Sequence, residues 1–365
     1  MFNKFHKSPA SVCALCFATF AFAWLYWFQA DLLAVAQHAL SGGTTHYDRT
    51  IGAVVIVITL QLLQTAVGAF VRLPPGAWAM TYAPSFLALA FLSDITTRDD
   101  SDVTVGAAWW LIALLLLAWV AAVHYTLHTP HSTSSWQTTT GRMALCPLSS
   151  LCSLCNLGNL WGNLLQMGGM MLVVAAAGNT NAVLHYRAHA ETALMRGDSS
   201  EAMLAGWESM ETDTQLTMLR AYALSREGLL PEMLFRYPVT GTGSDLLPMR
   251  HKPMMLPADS IWRHLGAKPA FPMTAQAYYR LLEDDSVATK AVADYVLCGL
   301  LIDRDLKTFA RLLPRYYGDS LPCHYREAME LYNCLYPSSA QSSSQRLHLL
   351  ENYRHTYWRY FACGQ

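Results

Sequence analysis

Residues 158–203 read GNLWGNLLQMGGMMLVVAAAGNTNAVLHYRAHAETALMRGDSSEAM, and the fold turns on the change of character inside them. As far as Ala177 the run holds no formal charge and is long enough to cross a bilayer. After Gly178 it becomes a charged, amphipathic helical pattern. A helix needs about 20 predominantly apolar residues to cross the hydrocarbon core. The same change divides the whole chain of 365 residues. Residues 1–178 hold 12 charged side chains and residues 179–365 hold 39. The first part has the composition of a membrane domain and the second that of a water-soluble one. The fold class expected is therefore all-α: a polytopic transmembrane bundle of about five spans, then a soluble helical domain.

The overall balance excludes several classes. Lys+Arg number 25 and Asp+Glu 26, which argues against a basic nucleic-acid binder. With 53% hydrophobic residues the chain is neither disordered nor a small disulfide scaffold.

Working back towards the amino terminus, the expected spans are residues 8–30, 51–71, 76–95, 103–123 and 158–177. A cleaved signal peptide competes for the first, but its apolar run exceeds an ordinary signal core and further spans follow. Met143–Gly178 is 36 residues without a formal charge, long for one span and short for two. Residues 143–157 are therefore read as an interfacial or re-entrant lead-in. Lys4, Lys7, Arg72 and Arg142 favour a cytoplasmic amino terminus, against Arg49 and Arg98 outside. Five crossings then place residues 179–365 in the periplasm of a bacterium, with the chain in the inner membrane. A sixth crossing at 143–157 would move them to the cytoplasm.

Polar residues inside the spans have two readings. Gln61 and Gln64 share one helix face, and so do Asn156, Asn159 and Asn163, with Gly158 and Gly162 beside them. Interhelical hydrogen bonding between close-packed helices is the simpler reading. A polar conduction path is the other, although no mid-span acid or base is present to drive transport.

The first external loop, Asp31–Thr50, reads DLLAVAQHALSGGTTHYDRT. Asp31–Leu40 is expected to be a short amphipathic helix ending at Ser41-Gly42-Gly43. Asp31, His46 and Asp48 are the candidate catalytic residues, as acid, base or metal ligands. Gln37, His38, Thr45 and Tyr47 are the candidate binding residues around them. A carboxylate just after a first span resembles, by position alone, the catalytic or metal-binding acid of membrane glycosyltransferases that use lipid-linked sugars. A solvated loop anchoring helix ends is the alternative.

Residues 181–235 read as consecutive helices: Asn181–Met195, Ser199–Glu211, Thr214–Arg226 and Pro231–Tyr237. They resemble tetratricopeptide repeats. Ala190, Gly197 and Ala202 fall where that family keeps a small residue, the turn glycine and a packing Ala. Ala221 and Gly228 begin a second unit, with Met233 in place of the expected Ala and glycines 31 residues apart rather than the usual ~34. Residues 238–273 carry six prolines and are read as an ordered loop or linker. Helices resume over Thr274–Leu282, Ser286–Leu301, Asp305–Leu313, Pro322–Tyr332 and Ser344–Tyr360. The stretches QHALSGGTTHYDRTIGAVVIVITLQLLQ, TYAPSFLALAFLSDI, RAYALSREGLLPEMLFRYP and DLKTFARLLPRYYGDSLPCHYREAM resemble a family of bacterial multi-pass membrane proteins with a helical-repeat carboxyl-terminal part. That resemblance implies architecture and brings no activity with it.

Other chemistry is sparse. Cys13/Cys16 and Cys152/Cys155 form C-x-x-C pairs in or beside apolar helix, where Cys serves as a small hydrophobe. Cys298, Cys323, Cys334 and Cys363 lack zinc spacing, and in an oxidising compartment could form disulfides. His124, His128 and His131 could share a helix end, but Pro130 interrupts them. His185 and His189 lack the Glu of a zinc-protease motif. No metal and no cofactor is implied. The expected function is a membrane scaffold whose partners are the lipid bilayer and a protein bound by the carboxyl-terminal domain, without nucleic acid and without catalysis. The alternative is an envelope enzyme acting on a lipid-linked or glycan substrate through the first loop; transport stands third.

Overall fold

Asp48 starts the longest early helix: its Oδ1 accepts the backbone N–H groups of Thr50 and Ile51 at 2.9 and 2.7 Å, which satisfies two of the four orphan donors of α3 (Arg49–Phe70). In the computed structural model of the chain, residues 9–71, 73–98, 102–128, 148–336 and 357–362 are described. They are almost entirely helical and divide into two compact units. The first draws on Met1–Gln37, Thr45–Thr96 and Thr104–Asn179, the second on His38–Thr44, Thr97–Val103 and Thr180–Gln365.

Three helical stretches of the first unit are long and apolar enough to cross a membrane: Ala10–Phe28, Arg49–Phe70 and Gly158–Ala177. The first comprises α1 (Pro9–Ala23) and a π-helical turn over Trp24–Phe28. Helix α2 (Ala30–Ser41) follows and ends at Gly42 and Gly43, both with positive φ. Leu32–Ala36 are buried in succession, while Ala39 and Leu40 are exposed.

The expected third span is not one helix. Residues Pro75–Tyr82 form a 3-10 helix and α4 covers Ala83–Ser93. Pro84 lies in the first turn of α4, where its missing N–H is harmless, but it cannot continue an α-helical ladder from residue 80. The expected fourth span begins late. Val103–Val105 is a strand (β2) paired with Ile95–Thr97 (β1), and helix α5 covers Trp109–His128. Its described apolar part, Trp109–Tyr125, is shorter than a full span. The lead-in is corrected too: residues 148–157 continue into 158–177 as one helix, α6 (Leu148–Ala177), about 45 Å long at 1.5 Å per residue. Residues 143–147 lie outside the described part, as do Lys4, Lys7, Arg72, Arg142, His131 and Cys363.

Cys13, Phe17, Ala21 and Leu25 recur every fourth residue and are fully buried. Phe17 meets Phe86 edge-on at 4.9 Å and Tyr82 at 5.2 Å. The amides are packing groups. Gln61 Nε2 donates to the Ala14 carbonyl, and Gln64 Nε2 to Thr81 Oγ1. Asn163 Oδ1 accepts from the Ala79 N–H at 2.7 Å, while its Nδ2 donates to the Pro75 and Asn159 carbonyls. Gln166 donates to the Gly76 carbonyl. Thus α6 satisfies backbone groups that the 3-10 segment leaves open. Large apolar side chains such as Ile51, Ile58, Leu62, Leu114, Leu117, Leu165 and Leu172 point outward, as lipid-facing helices require.

The second unit begins with α7 (Ala182–Met195), capped by Asn181, and α8 (Ser199–Leu204), capped by Asp198. Helix α8 stops well before Glu211, because Gly206 takes a positive φ and buried Arg220 collects the carbonyls of Ala205 and Gly206. Helix α9 (Thr214–Arg226) is capped by Asp213; α10 (Leu230–Met233) passes into a 3-10 turn over Leu234–Arg236. Ala190, Ala202 and Ala221 are all fully buried where these helices meet.

Residues 238–273 are not a linker. They contain a 3-10 turn (Gly243–Leu246) and α11 (Ala258–Leu265), and Leu246, Leu247, Leu256, Ile261, Trp262 and Leu265 belong to the core. Glu191 of α7 fastens this stretch: its carboxylate accepts the N–H groups of Met254, Met255 and Leu256 at 2.9, 2.5 and 2.9 Å. The second unit closes with α12 (Ala275–Asp284), α13 (Lys290–Ile302), α14 (Leu306–Tyr316), α15 (Cys323–Leu335) and α16 (Tyr357–Ala362). Residues 344–356 of the expected last helix are outside the described part.

Candidate functional site

The first loop gives its two carboxylates structural partners. Asp31 accepts from Arg49 Nη2 at 3.1 Å, and the Arg49 guanidinium also lies over the Tyr26 ring. Asp48 is the cap of α3 described above. His46 is exposed. Among the binding candidates, Gln37 Nε2 donates to Thr45 Oγ1 at 3.0 Å. The His38 ring lies against Gly43, where a Cβ would come within 3.0 Å of it. Tyr47 packs on Gly52, and burial pushes its hydroxyl up to about 12, with Asp48 adding to the shift. The loop therefore ties Asp31 to Arg49, Gln37 to Thr45 and Tyr47 to Gly52. It fastens the ends of α2 and α3.

A different site forms in the second unit, from residues that the sequence did not single out. A groove of about 630 Å³ runs beside the end of the 3-10 turn at 234–236. Phe235 and Tyr237, both almost fully buried, form its floor. The turn of 3-10 helix makes successive residues diverge, so Arg236 between them is exposed. Pro238 then ends the turn and directs the chain away.

One wall comes from the segment after α8. Trp207 meets Tyr237 edge-on at 4.9 Å, and Met210 is 72% exposed. Tyr237 is fixed from behind. Its hydroxyl donates to the Met203 carbonyl, and the Arg220 guanidinium lies 5.0 Å from its ring centre. Burial pulls the Arg220 guanidinium down to about 10, so it remains charged at neutral pH while its hydrogens are committed to backbone carbonyls.

The opposite wall comes from α16 and the turn after α13. Tyr360 donates to the Ile302 carbonyl at 2.8 Å and stacks obliquely on Phe235 at 5.2 Å. Arg304 lies 5.0 Å over the Tyr360 ring and Arg359 stands on the exposed side of α16. Burial holds the Tyr237 and Tyr360 hydroxyls above the ordinary phenol range, against the pull of Arg220 and Arg304 respectively. Neither ionises near neutral pH. Among the described residues the lining contains three arginines and no carboxylate.

The groove therefore offers aromatic faces, a mobile thioether and fixed positive charge, with no nucleophile or general base at its floor. Protein interfaces concentrate these residue types: Trp, Tyr, Phe, Met and Arg. The aromatic–basic alternation of LFRYP (234–238) and YWRYF (357–361) was visible in the sequence. Their convergence was not, because it depends on packing between segments more than 100 residues apart. The chain matches no known family profile, no curated protein and no solved structure.

Proposed function

We propose that this chain is a bacterial inner-membrane protein that binds an acidic segment of another protein in the groove between Trp207, Phe235, Tyr237 and Tyr360. In this reading the amino terminus is cytoplasmic and the second unit faces the periplasm. Kinship with the multi-pass membrane family that it resembles belongs to the same proposal, as does a tetratricopeptide-like ancestry of α7–α9. The groove carries the reading. Arg236 and Arg359 would receive carboxylates, which guanidinium groups bind in paired hydrogen bonds. The aromatic floor would receive an apolar side chain of the same segment. Membrane attachment would keep the groove at high local concentration near envelope partners. The enzyme reading loses support because Asp31 and Asp48 are engaged in an ion pair and a helix cap.

The test uses the full chain in detergent or nanodiscs. Fluorescence anisotropy of a dye-labelled Glu- and Leu-containing peptide is followed as the chain is added, with a Lys-for-Glu peptide as control. Saturable, salt-sensitive binding of the acidic peptide alone is expected, weakened about tenfold or more by each of R236E and R359E, since one close charge pair at an interface is worth at least ~1.5 kcal/mol. Equal binding of the two peptides would refute the groove reading. A reporter active only in the periplasm, fused after Gln365, tests the side: loss of reporter signal in an expressed fusion would overturn the orientation.

A further inference from the structure

At the start of α15, the sequence CHYRE (323–327) places Cys323, His324 and Glu327 on one turn. Their donor atoms all lie within 4.8 Å of one another. Cys323 Sγ is 3.1 Å from Glu327 Oε1, and His324 Nδ1 is 3.8 Å from Glu327 Oε2. Two ligands on one tetrahedral zinc ion, with bonds of about 2.0–2.3 Å, stand about 3.5 Å apart. The two separations to Glu327 straddle that value, and the third lies within 4.8 Å.

The second observation concerns His324. Its side chain is fully buried, yet neither ring nitrogen has a hydrogen-bond partner among the described residues. A buried imidazole normally satisfies at least one nitrogen, and leaving both open is unfavourable. The ring is held edge-to-face by Phe235 at 5.3 Å, which fixes its plane. Metal ligation would satisfy the nitrogen that faces Glu327.

We propose that Cys323, His324 and Glu327 form a zinc site with three protein ligands and an exchangeable fourth position. The donor set of one thiolate, one imidazole and one carboxylate suits a borderline-soft ion and not Mg²⁺ or Ca²⁺. One thiolate and one carboxylate also balance the two positive charges. Cys323 is the partly exposed member and gives the ion its route in.

The surroundings supply an outer shell. Glu232 accepts the Cys323 N–H at 3.0 Å, and the Tyr357 N–H donates to Glu327 Oε2 at 3.0 Å. A nucleophilic role for Cys323 fits less well. Its Sγ donates to Glu327 Oε1. Without a metal it is a protonated donor, and no imidazole nitrogen is bonded to it. The site goes beyond peptide binding and stands without it. The two meet at Phe235, which lines the groove and packs on the His324 ring.

The experiment titrates the full chain, purified without chelators, with Zn²⁺ against a chromophoric competitor and then with Co²⁺. One equivalent of Zn²⁺ per chain is expected, and the Co²⁺ form should show thiolate-to-metal charge-transfer absorption. C323S should abolish that absorption. H324Q should weaken Zn²⁺ binding by more than about 100-fold, beyond the ~10–100-fold of an outer-shell change. Circular dichroism of each variant shows whether it is folded; if a variant is not, the wild-type stoichiometry and spectrum decide. Absence of Zn²⁺ uptake by the folded wild-type chain overturns the proposal. So does a Co²⁺ spectrum without a thiolate band, or uptake that C323S and H324Q both leave unchanged.

Discussion

Replacing Glu191 by Ala should release the segment around Met254–Leu256 without unfolding the protein. The carboxylate is fully buried and accepts three backbone N–H groups, themselves buried, from a stretch 63–65 residues further along the chain. Orphaning a buried amide costs about 1–3 kcal/mol, so three amount to roughly 3–6 kcal/mol with some relief by local shifts. Part of this is offset. Burial holds the Glu191 carboxyl above the ordinary carboxylate range, although the three N–H groups and Arg187 pull the other way, so its desolvation penalty disappears with it. A net loss of about 2–4 kcal/mol follows, since the segment can also open to water and cap the damage. At 1.4 kcal/mol per tenfold, local opening should increase roughly 30- to 700-fold. Glu191→Gln should fall between. One oxygen can keep the Met255 and Leu256 bonds, but the amide NH₂ then faces the Met254 N–H. Hydrogen exchange with mass spectrometry on the full chain reads this directly at residues 254–256. If E191A exchanges there at the wild-type rate, Glu191 does not fasten the segment and the argument fails.

Two further outcomes follow from the same physics. Asn163→Leu removes the partners of the Ala79 N–H and the Pro75 carbonyl, and should lower thermal stability in detergent by about 1–2 kcal/mol, more than Gln61→Leu, which removes a single interhelical bond; equal effects would deny the 3-10 segment its dependence on α6. His264 lies against Tyr222 and bonds Ser225 at 2.8 Å, and burial, then Arg226, holds its pKa below the usual imidazole value. The folded state therefore binds fewer protons than the unfolded chain, so stability present above about pH 6.5 is lost as pH falls through the folded value. His264→Asn should flatten that acid limb in thermal unfolding, and an unchanged limb would assign it to other groups.

What could be read from the sequence was what local composition and helix ends determine. The apolar runs at Ala10–Phe28, Arg49–Phe70 and Gly158–Ala177 are helices of spanning length. The helices capped by Asn181 and Asp305 begin where the sequence pattern placed them, whereas Asp48, Asp198 and Asp213 were not read as caps. Contacts between distant segments were not legible. Nothing near Pro75 announces that Asn163 will complete its hydrogen bonding, so an apolar stretch read as one helix is two. Nothing in the proline-rich stretch names Glu191, so the sequence left an ordered loop and a linker both open. The first loop drew attention because acids and histidines cluster there, yet Arg49 and the α3 amide groups absorb both acids. The CHYRE turn was legible in principle. Cysteine spacing alone does not reveal it, because one Cys stands there beside a His and a Glu.

The bonds from Asn163 and Gln166 to residues 75–79 also bear on how the protein is made. Ala79 leaves the ribosome more than 80 residues before its acceptor exists. Until then, the Pro75–Tyr82 stretch would carry naked amide dipoles if it entered hydrocarbon, which lipid cannot solvate. The backbone groups at residues 75–79 that Asn163 and Gln166 satisfy therefore stay open until α6 has been made.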